Sequence, residues 1–284
     1  MGKQTGISWT DHTFNPWTGC AKVSPGCANC YAETQAKRFS GSFGGWGIGQ
    51  PRKRTSPANW RGPWRWDRDA AVAGVRHKVF CASMADWLDP EVPASWLVDL
   101  LALIANTPRL DWQLLTKRPE LWRERMAAAH NVMCEGKSIR KTTPSHVPGL
   151  AMTGAWLDGN PPANVWVGTT AEDQRRADER IPALLAIPAR LRFLSCEPLL
   201  GSVRLDLDKI GWVIVGGESG ARSRPLDLEW ARGIVLQCVV SDVACFVKQM
   251  GDNPIGGAFN AYHGADPNEW PNDLRVQEFP EERK

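Results

Sequence analysis

Six short apolar runs, each closing on a polar or glycine-rich cluster, set the strongest limit on how this chain folds. They are Lys78–Ser83 (KVFCAS), Trp112–Thr116 (WQLLT), Val165–Thr169 (VWVGT), Leu191–Ser195 (LRFLS), Trp212–Val215 (WVIV) and Ala244–Val247 (ACFV). Runs this short, rich in Val, Phe and Trp and without strict alternation, read as strands covered on both faces. Between them lie stretches with helical spacing: Ala94–Ala105, Asp173–Ala186 and Asp227–Val239, the last with Asp227 as its expected N-cap. A further short strand is expected near Gly6–Trp9 or Phe14–Thr18.

Strands alternating with helices predict parallel βαβ units. Six or seven such units predict an α/β fold, a partial or complete parallel (β/α) barrel of six to seven strands with loop insertions. An open doubly wound sheet is the other arrangement of these units. The barrel is preferred because polar residues follow nearly every strand, and a barrel gathers all its strand ends at one mouth. The expected body is residues 1–250, with insertions at 40–66 and 133–163, followed by a C-terminal extension at 251–284. No stretch approaches the roughly 20 apolar residues that span a bilayer, and the N-terminus lacks a secretory h-region. A cytoplasmic protein with no membrane partner is expected; a net charge of +3 adds little about partners.

Eight cysteines in such a chain do not suggest a disulfide framework. Cys81, Cys196 and Cys245 sit in apolar runs, where a thiol acts as a small hydrophobe. Three others cluster in GCAKVSPGCANCYAE as Cys20, Cys27 and Cys30, a Cys-x6-Cys-x2-Cys pattern. Thiolates are preferred ligands of iron–sulfur clusters and of zinc. A structural zinc site wants four ligands, and His12 could supply the fourth. A four-iron cluster on three cysteines leaves one iron open to a small molecule. Both metals stay open at this point.

The strand ends form a second constellation: Ser83 and Asp86; Thr116, Lys117 and Arg118; Thr169, Thr170 and Glu172; Ser195 and Glu197; Gly216, Gly217, Glu218 and Ser219; Lys248 and Gln249. Charge placed directly after buried strands is costly unless it faces a wet or ligand-filled cavity or is paired. Lys117 or Lys248 would neutralise a carboxylate or phosphate, the glutamates would bind hydroxyl or ammonium groups, and Gly216 and Gly217 would admit a ligand close to backbone. The plain alternative is mutual pairing along the rim, for instance Lys117 with Glu197. G-x-G-x-x-G, P-loop and nucleophile-elbow motifs are all missing, and no histidine stands near Ser195, which argues against an acyl-transfer triad. The segment 40–66 interleaves Arg52, Lys53, Arg54 and Arg61 with Trp60 and Trp64, a composition suited to phosphates and stacked bases.

The three-cysteine loop, early in a barrel-like chain and followed by Tyr31, resembles the radical S-adenosylmethionine superfamily, although six residues separate its first two cysteines where three are commonest. The resemblance implies a 4Fe-4S cluster on Cys20, Cys27 and Cys30, S-adenosylmethionine chelated at the open iron, and Tyr31 near the adenine. It further implies a 5′-deoxyadenosyl radical and an electron donor such as a flavodoxin or ferredoxin. ISWTDHTFNPWTGC, FCASMADW, LLTKRPE, VWVGTTAEDQ, RFLSCEPLLG, VIVGGESG and FVKQMG, in that order over about residues 5–250, also resemble an uncharacterised family common in phages and prophages. LLTKRPE is similar to a strand end of spore photoproduct lyases. The expected function is a radical enzyme modifying or repairing a nucleic acid or nucleotide. The alternative is a non-enzymatic protein with a structural zinc site and a nucleic-acid-binding surface.

Overall fold

In the computed structural model, which describes residues 5–39, 41–135 and 146–280, the apolar runs are strands of one sheet. The strands are β1 (His12–Thr13), β2 (His77–Cys81), β3 (Leu110–Thr116), β4 (Val165–Thr170), β5 (Leu191–Cys196), β6 (Trp212–Gly216) and β7 (Ala244–Gln249). All seven are parallel, and each lies beside the strand that precedes it in sequence. That sequential order is the winding of a (β/α) barrel, and β1 and β7 are not joined, so the barrel is partial. An open doubly wound sheet would reverse its order at a switch point, and no reversal occurs. Every residue of β4 and β6 is buried, as expected for strands covered on both faces.

The first strand falls between the two stretches expected for it. His12 and Thr13 pair with Val79 and Phe80 of β2, whereas Trp17–Thr18 pairs antiparallel with Lys53–Arg54. The helices are α1 (Tyr31–Arg38), α2 (Gly62–Ala73), α3 (Ala94–Ala105), α4 (Trp122–Glu135), α5 (His146–Leu157), α6 (Gln174–Leu185) and α7 (Leu228–Val240). Asp227 caps α7, its carboxylate accepting the Glu229 amide at 2.9 Å. In α6 the buried residues Ala177, Arg180, Ile181 and Leu184 recur at one helical face.

Contacts along the backbone divide the chain into two units, with the boundary inside β4. The first comprises Met1–Lys22, Gln35–Val167 and Ala186–Arg190. Its helix α3 buries Leu97, Val98, Leu100, Leu101, Leu103 and Ile104, because it packs against both α4 and α5. Truncating one of these leucines to alanine costs about 2–5 kcal/mol. The expected insertion at 133–163 instead supplies the end of α4 and all of α5; its residues 136–145 lie outside the described residues. Helix α5 forms despite Pro148 and Gly149 because packing outweighs propensity: Trp156 is fully buried between Trp87 and Trp122. A Cβ on Gly149 would stand 2.9 Å from the Ala102 Cα, so only glycine lets α5 approach α3 this closely. The expected insertion at 40–66, whose Ser40 is outside the described residues, likewise carries the strand Lys53–Arg54, the short helix Pro57–Trp60 and the start of α2.

The second unit comprises Val23–Thr34, Gly168–Leu185 and Leu191–Lys284. Trp212 anchors its core against Phe193, Phe246 and Phe279. The extension after residue 250 belongs to this unit. It buries Trp270 and Leu274 and lays Val276–Glu278 along β7, where the Val247 amide donates to Val276 O and the Glu278 amide to Cys245 O, both at 2.8 Å. Among the described residues, no helix is long and apolar enough to cross a membrane.

Candidate functional site

In the first unit the ends of β2 and β3 meet on Asp86, which is buried. One carboxylate oxygen accepts the Leu88 amide at 2.9 Å and the Thr116 hydroxyl at 2.7 Å. The other accepts the Lys117 amide at 2.9 Å and Arg118 Nη1 at 3.0 Å. Asp86 thus joins two strand ends. Arg118 carries the arrangement to the cysteine loop: Nη2 donates to Ala21 O at 2.8 Å, and the Cys20 sulfur lies 3.7 Å from Nη1. Burial, then the Asp86 charge, pushes the Cys20 thiol up to about 11, with Arg118 opposing. Ser83 receives the Asn15 side-chain amide at 3.0 Å. Lys117 is half-buried, and its ammonium has no ion-pair partner among the described residues.

In the second unit the loop bearing Cys27 and Cys30 is fastened from two sides. The first tie is Glu172, fully buried after β4, which accepts the Gly26 amide at 3.2 Å and Arg180 Nη1 at 2.7 Å. A Cβ on Gly26 would meet Glu172 Oε1 at 2.9 Å, so this contact demands glycine. The second tie is Glu218, after β6, which accepts Asn29 Nδ2 at 2.9 Å and both the amide and Nε of Arg224 at 2.9 Å. Arg224 Nη1 in turn donates to Pro25 O at 2.9 Å. Burial alone would raise the Glu218 carboxyl, but the Arg224 and Asn29 bonds hold it below the usual carboxylate range. Both glutamates thus hold the cysteine loop in place.

Other strand-end residues of this unit also pair among themselves. Lys248 Nζ stands 2.8 Å from Glu197 Oε1, so the partner of Glu197 is Lys248 rather than Lys117. A Cβ on Gly216 would strike that carboxylate at 2.9 Å, and one on Gly217 would meet Met250 O at 2.3 Å. Both positions therefore admit no side chain without a shift of their neighbours. Gln249 Nε2 donates to Gly217 O at 3.1 Å. Thr169 is fully buried, whereas the Thr170 hydroxyl is buried with no hydrogen-bond partner among the described residues. Tyr31 opens α1 and is 49% exposed.

The extension adds a group that the sequence reading passed over. His263 Nδ1 lies 2.8 Å from Asp252 Oδ2, which also accepts the Gly220 amide at 2.6 Å, and the Asp252 amide donates to Glu218 O at 3.1 Å. A histidine therefore does stand beside a strand-end loop. No local pattern marks it; the one available signal is a lone His in an otherwise histidine-free tail.

The basic aromatic segment is partly consumed internally. Arg52 is buried, paired with Asp89 at 2.8 Å and Glu91 at 3.1 Å, and its Nη1 donates to the carbonyls of Gly45, Gly47 and Gln50, so it is no phosphate contact. Arg54 pairs with Asp99 at 2.6 Å and lies 4.2 Å from the centre of the Trp60 ring, and both are half-buried. Lys53, Arg61 and Trp64 are exposed. His12, weighed as a zinc ligand, is occupied by a 3.1 Å contact to His77 and by stacking on Trp66.

Cys20, Cys27 and Cys30 are free and half-buried, whereas Cys81, Cys196, Cys238 and Cys245 are buried. Burial drives the Cys81 and Cys196 thiols far above their ordinary range. In donor chemistry the half-buried trio fits an iron–sulfur cluster or zinc. Among the described residues, no group of three His, Cys, Asp or Glu side chains is assembled to hold a metal ion. Comparison with curated proteins and with solved structures found no match. The winding, the loop and its two glutamate ties all fall within residues 4–266, where the chain matches one family model, and on that match it belongs to the family described as "Protein of unknown function (DUF5131)".

Proposed function

We propose that this chain is a radical S-adenosylmethionine enzyme that holds a 4Fe-4S cluster on Cys20, Cys27 and Cys30 and acts on a nucleic acid or nucleotide. The observation that carries this reading is the fastening of the Cys27–Cys30 loop to Glu172 and Glu218, two buried carboxylates that directly follow sheet strands. Such ties would be wasted on an ordinary surface loop. When bound, the cluster supplies an open iron for S-adenosylmethionine and one electron, received from a flavodoxin or ferredoxin, to cleave it into methionine and a 5′-deoxyadenosyl radical.

The chain's own residues would prepare and support that chemistry. Arg118 offsets negative charge at the Cys20 sulfur. Glu172, Glu218 and Arg224 keep the loop from opening when its thiols lose their protons. Lys117, half-buried and without an ion-pair partner among the described residues, is a polar group available to a ligand. His263, oriented through Nδ1 by Asp252, would exchange a proton at Nε2. Tyr31 would contact the adenine.

The test is anaerobic reconstitution with iron and sulfide. The expected result is about four irons per chain, absorbance near about 400 nm, and 5′-deoxyadenosine once a reductant is added, all lost in Cys27→Ser and Cys30→Ser. One zinc and no iron in the protein as purified would support the structural-zinc alternative and end this reading.

A further inference from the structure

We infer that the solvent face of α2, with Arg61, Trp64, Arg65 and Arg68, docks single-stranded nucleic acid. This rests on the nucleic-acid part of the reading above and not on its metal.

Helix α2 buries Pro63, Asp67 and Ala70. At 100° per residue those three positions mark one side, and residues 61, 64, 65, 68 and 72 fall on the other. Arg61, Arg65 and Arg68 are all exposed, and none of their guanidiniums has an ion pair or hydrogen bond among the described residues. By contrast, Arg52, Arg54, Arg76 and Arg118 are each held by a carboxylate. Trp64 lies among the three arginines at 40% exposure, whereas Trp9, Trp17, Trp87, Trp112, Trp156, Trp212 and Trp270 are fully buried. Val72, 91% exposed, extends the face, and Asp69 is its single carboxylate, leaving a net charge of +2.

The charge selects a polyanion, and the indole selects one with flat exposed faces. Arg61 and Arg65 are about 6 Å apart along the helix axis and Arg61 and Arg68 about 10 Å, distances that reach successive phosphates of an extended strand. A base stacked on Trp64 between those phosphates satisfies both features, as in other sequence-tolerant single-strand binders. A duplex hides its base faces and would use the arginines alone.

The test is fluorescence anisotropy of labelled oligo(dT) and oligo(U), using the full chain both as purified and after cluster reconstitution. Expected is binding whose log affinity falls with log salt at a slope of about 2, from about 0.7 per phosphate neutralised. R61E/R65E/R68E should weaken it by tenfold or more, and Trp64→Ala by roughly fivefold or more. Arg123→Glu, a single charge reversal at an exposed position of α4, should have little effect. Circular dichroism checks that each variant folds. The inference is overturned if the wild-type chain binds neither oligonucleotide at low salt, if the triple variant or Trp64→Ala binds normally, or if polyglutamate competes as well as oligo(dT). Cys27→Ser that binds DNA normally but takes up no cluster supports this surface as separate from the metal, so the two readings fail independently.

Discussion

Arg118 joins Asp86 at 3.0 Å and the Cys20 sulfur at 3.7 Å through the same nitrogen, Nη1. One buried cation therefore answers both to a carboxylate that ties two strand ends and to a thiol of the three-cysteine loop. Asp86→Ala leaves that guanidinium buried without its carboxylate, and it also strips the Thr116 hydroxyl and the Leu88 and Lys117 amides of their acceptor. Removing one partner of a buried pair costs about 3–5 kcal/mol. Urea unfolding should show this loss, and an effect below about 1 kcal/mol would mean that Asp86 is not the joint described.

Gly26→Ala should damage the cysteine loop while sparing the fold. The added methyl would press on Glu172, which is fully buried and fixed by Arg180 and so has nowhere to move. The loop must shift instead. Expected are unchanged circular dichroism, faster proteolytic cleavage between residues 20 and 30, and reduced iron uptake on reconstitution.

Two glycines of α5 separate backbone crowding from side-chain crowding. Gly149→Ala meets the Ala102 backbone at 2.9 Å, and neither helix can yield, so a loss of about 1–3 kcal/mol is expected. Gly154→Ala meets only the edge of the His130 ring at 3.2 Å, which can rotate, so helix propensity should prevail and the change be neutral or slightly stabilising. Thermal unfolding of both variants checks the contrast.

Stability should fall in two steps as pH drops. Burial, then His77, lowers His12 from 6.5 to about 4. The unfolded chain therefore binds more protons between those values, and the folded state weakens as pH falls from 6.5 to 4. Glu218, held below its ordinary 4.5, stabilises above that value and loses its contribution as pH falls below it. His12→Gln should flatten the unfolding free energy over the first window and Glu218→Gln over the second. Unfolding curves at half-unit pH steps would test both.

Much of the fold was legible because strand and helix signals are local. Leu191–Ser195 appeared as Leu191–Cys196 and Trp212–Val215 as Trp212–Gly216; Ala94–Ala105 matched at both ends, and the Asp227 cap held. Helix α5 was missed because Pro148 and Gly149 argue against a helix unless the close packing of α3 on Gly149 is known. The polar strand ends were legible as a set but not by role. Glu172 finds its amide 146 residues away and Glu218 its Asn29 partner 189 residues away. Spacing alone cannot distinguish a carboxylate awaiting a ligand from one already engaged. Arg52 and Arg61 looked alike in sequence for the same reason; only burial separates them.

The segment Val276–Glu278 runs antiparallel against the outer side of β7, with Gln277 opposite Phe246. A terminal strand otherwise presents a bare row of donors and acceptors that invites a neighbouring molecule to add itself. Here a later segment of the same chain occupies that row, preceded by the buried Trp270. Cutting the protein short at residue 266, where the family match stops, would strip this cover and turn a finite sheet into a template for polymerisation.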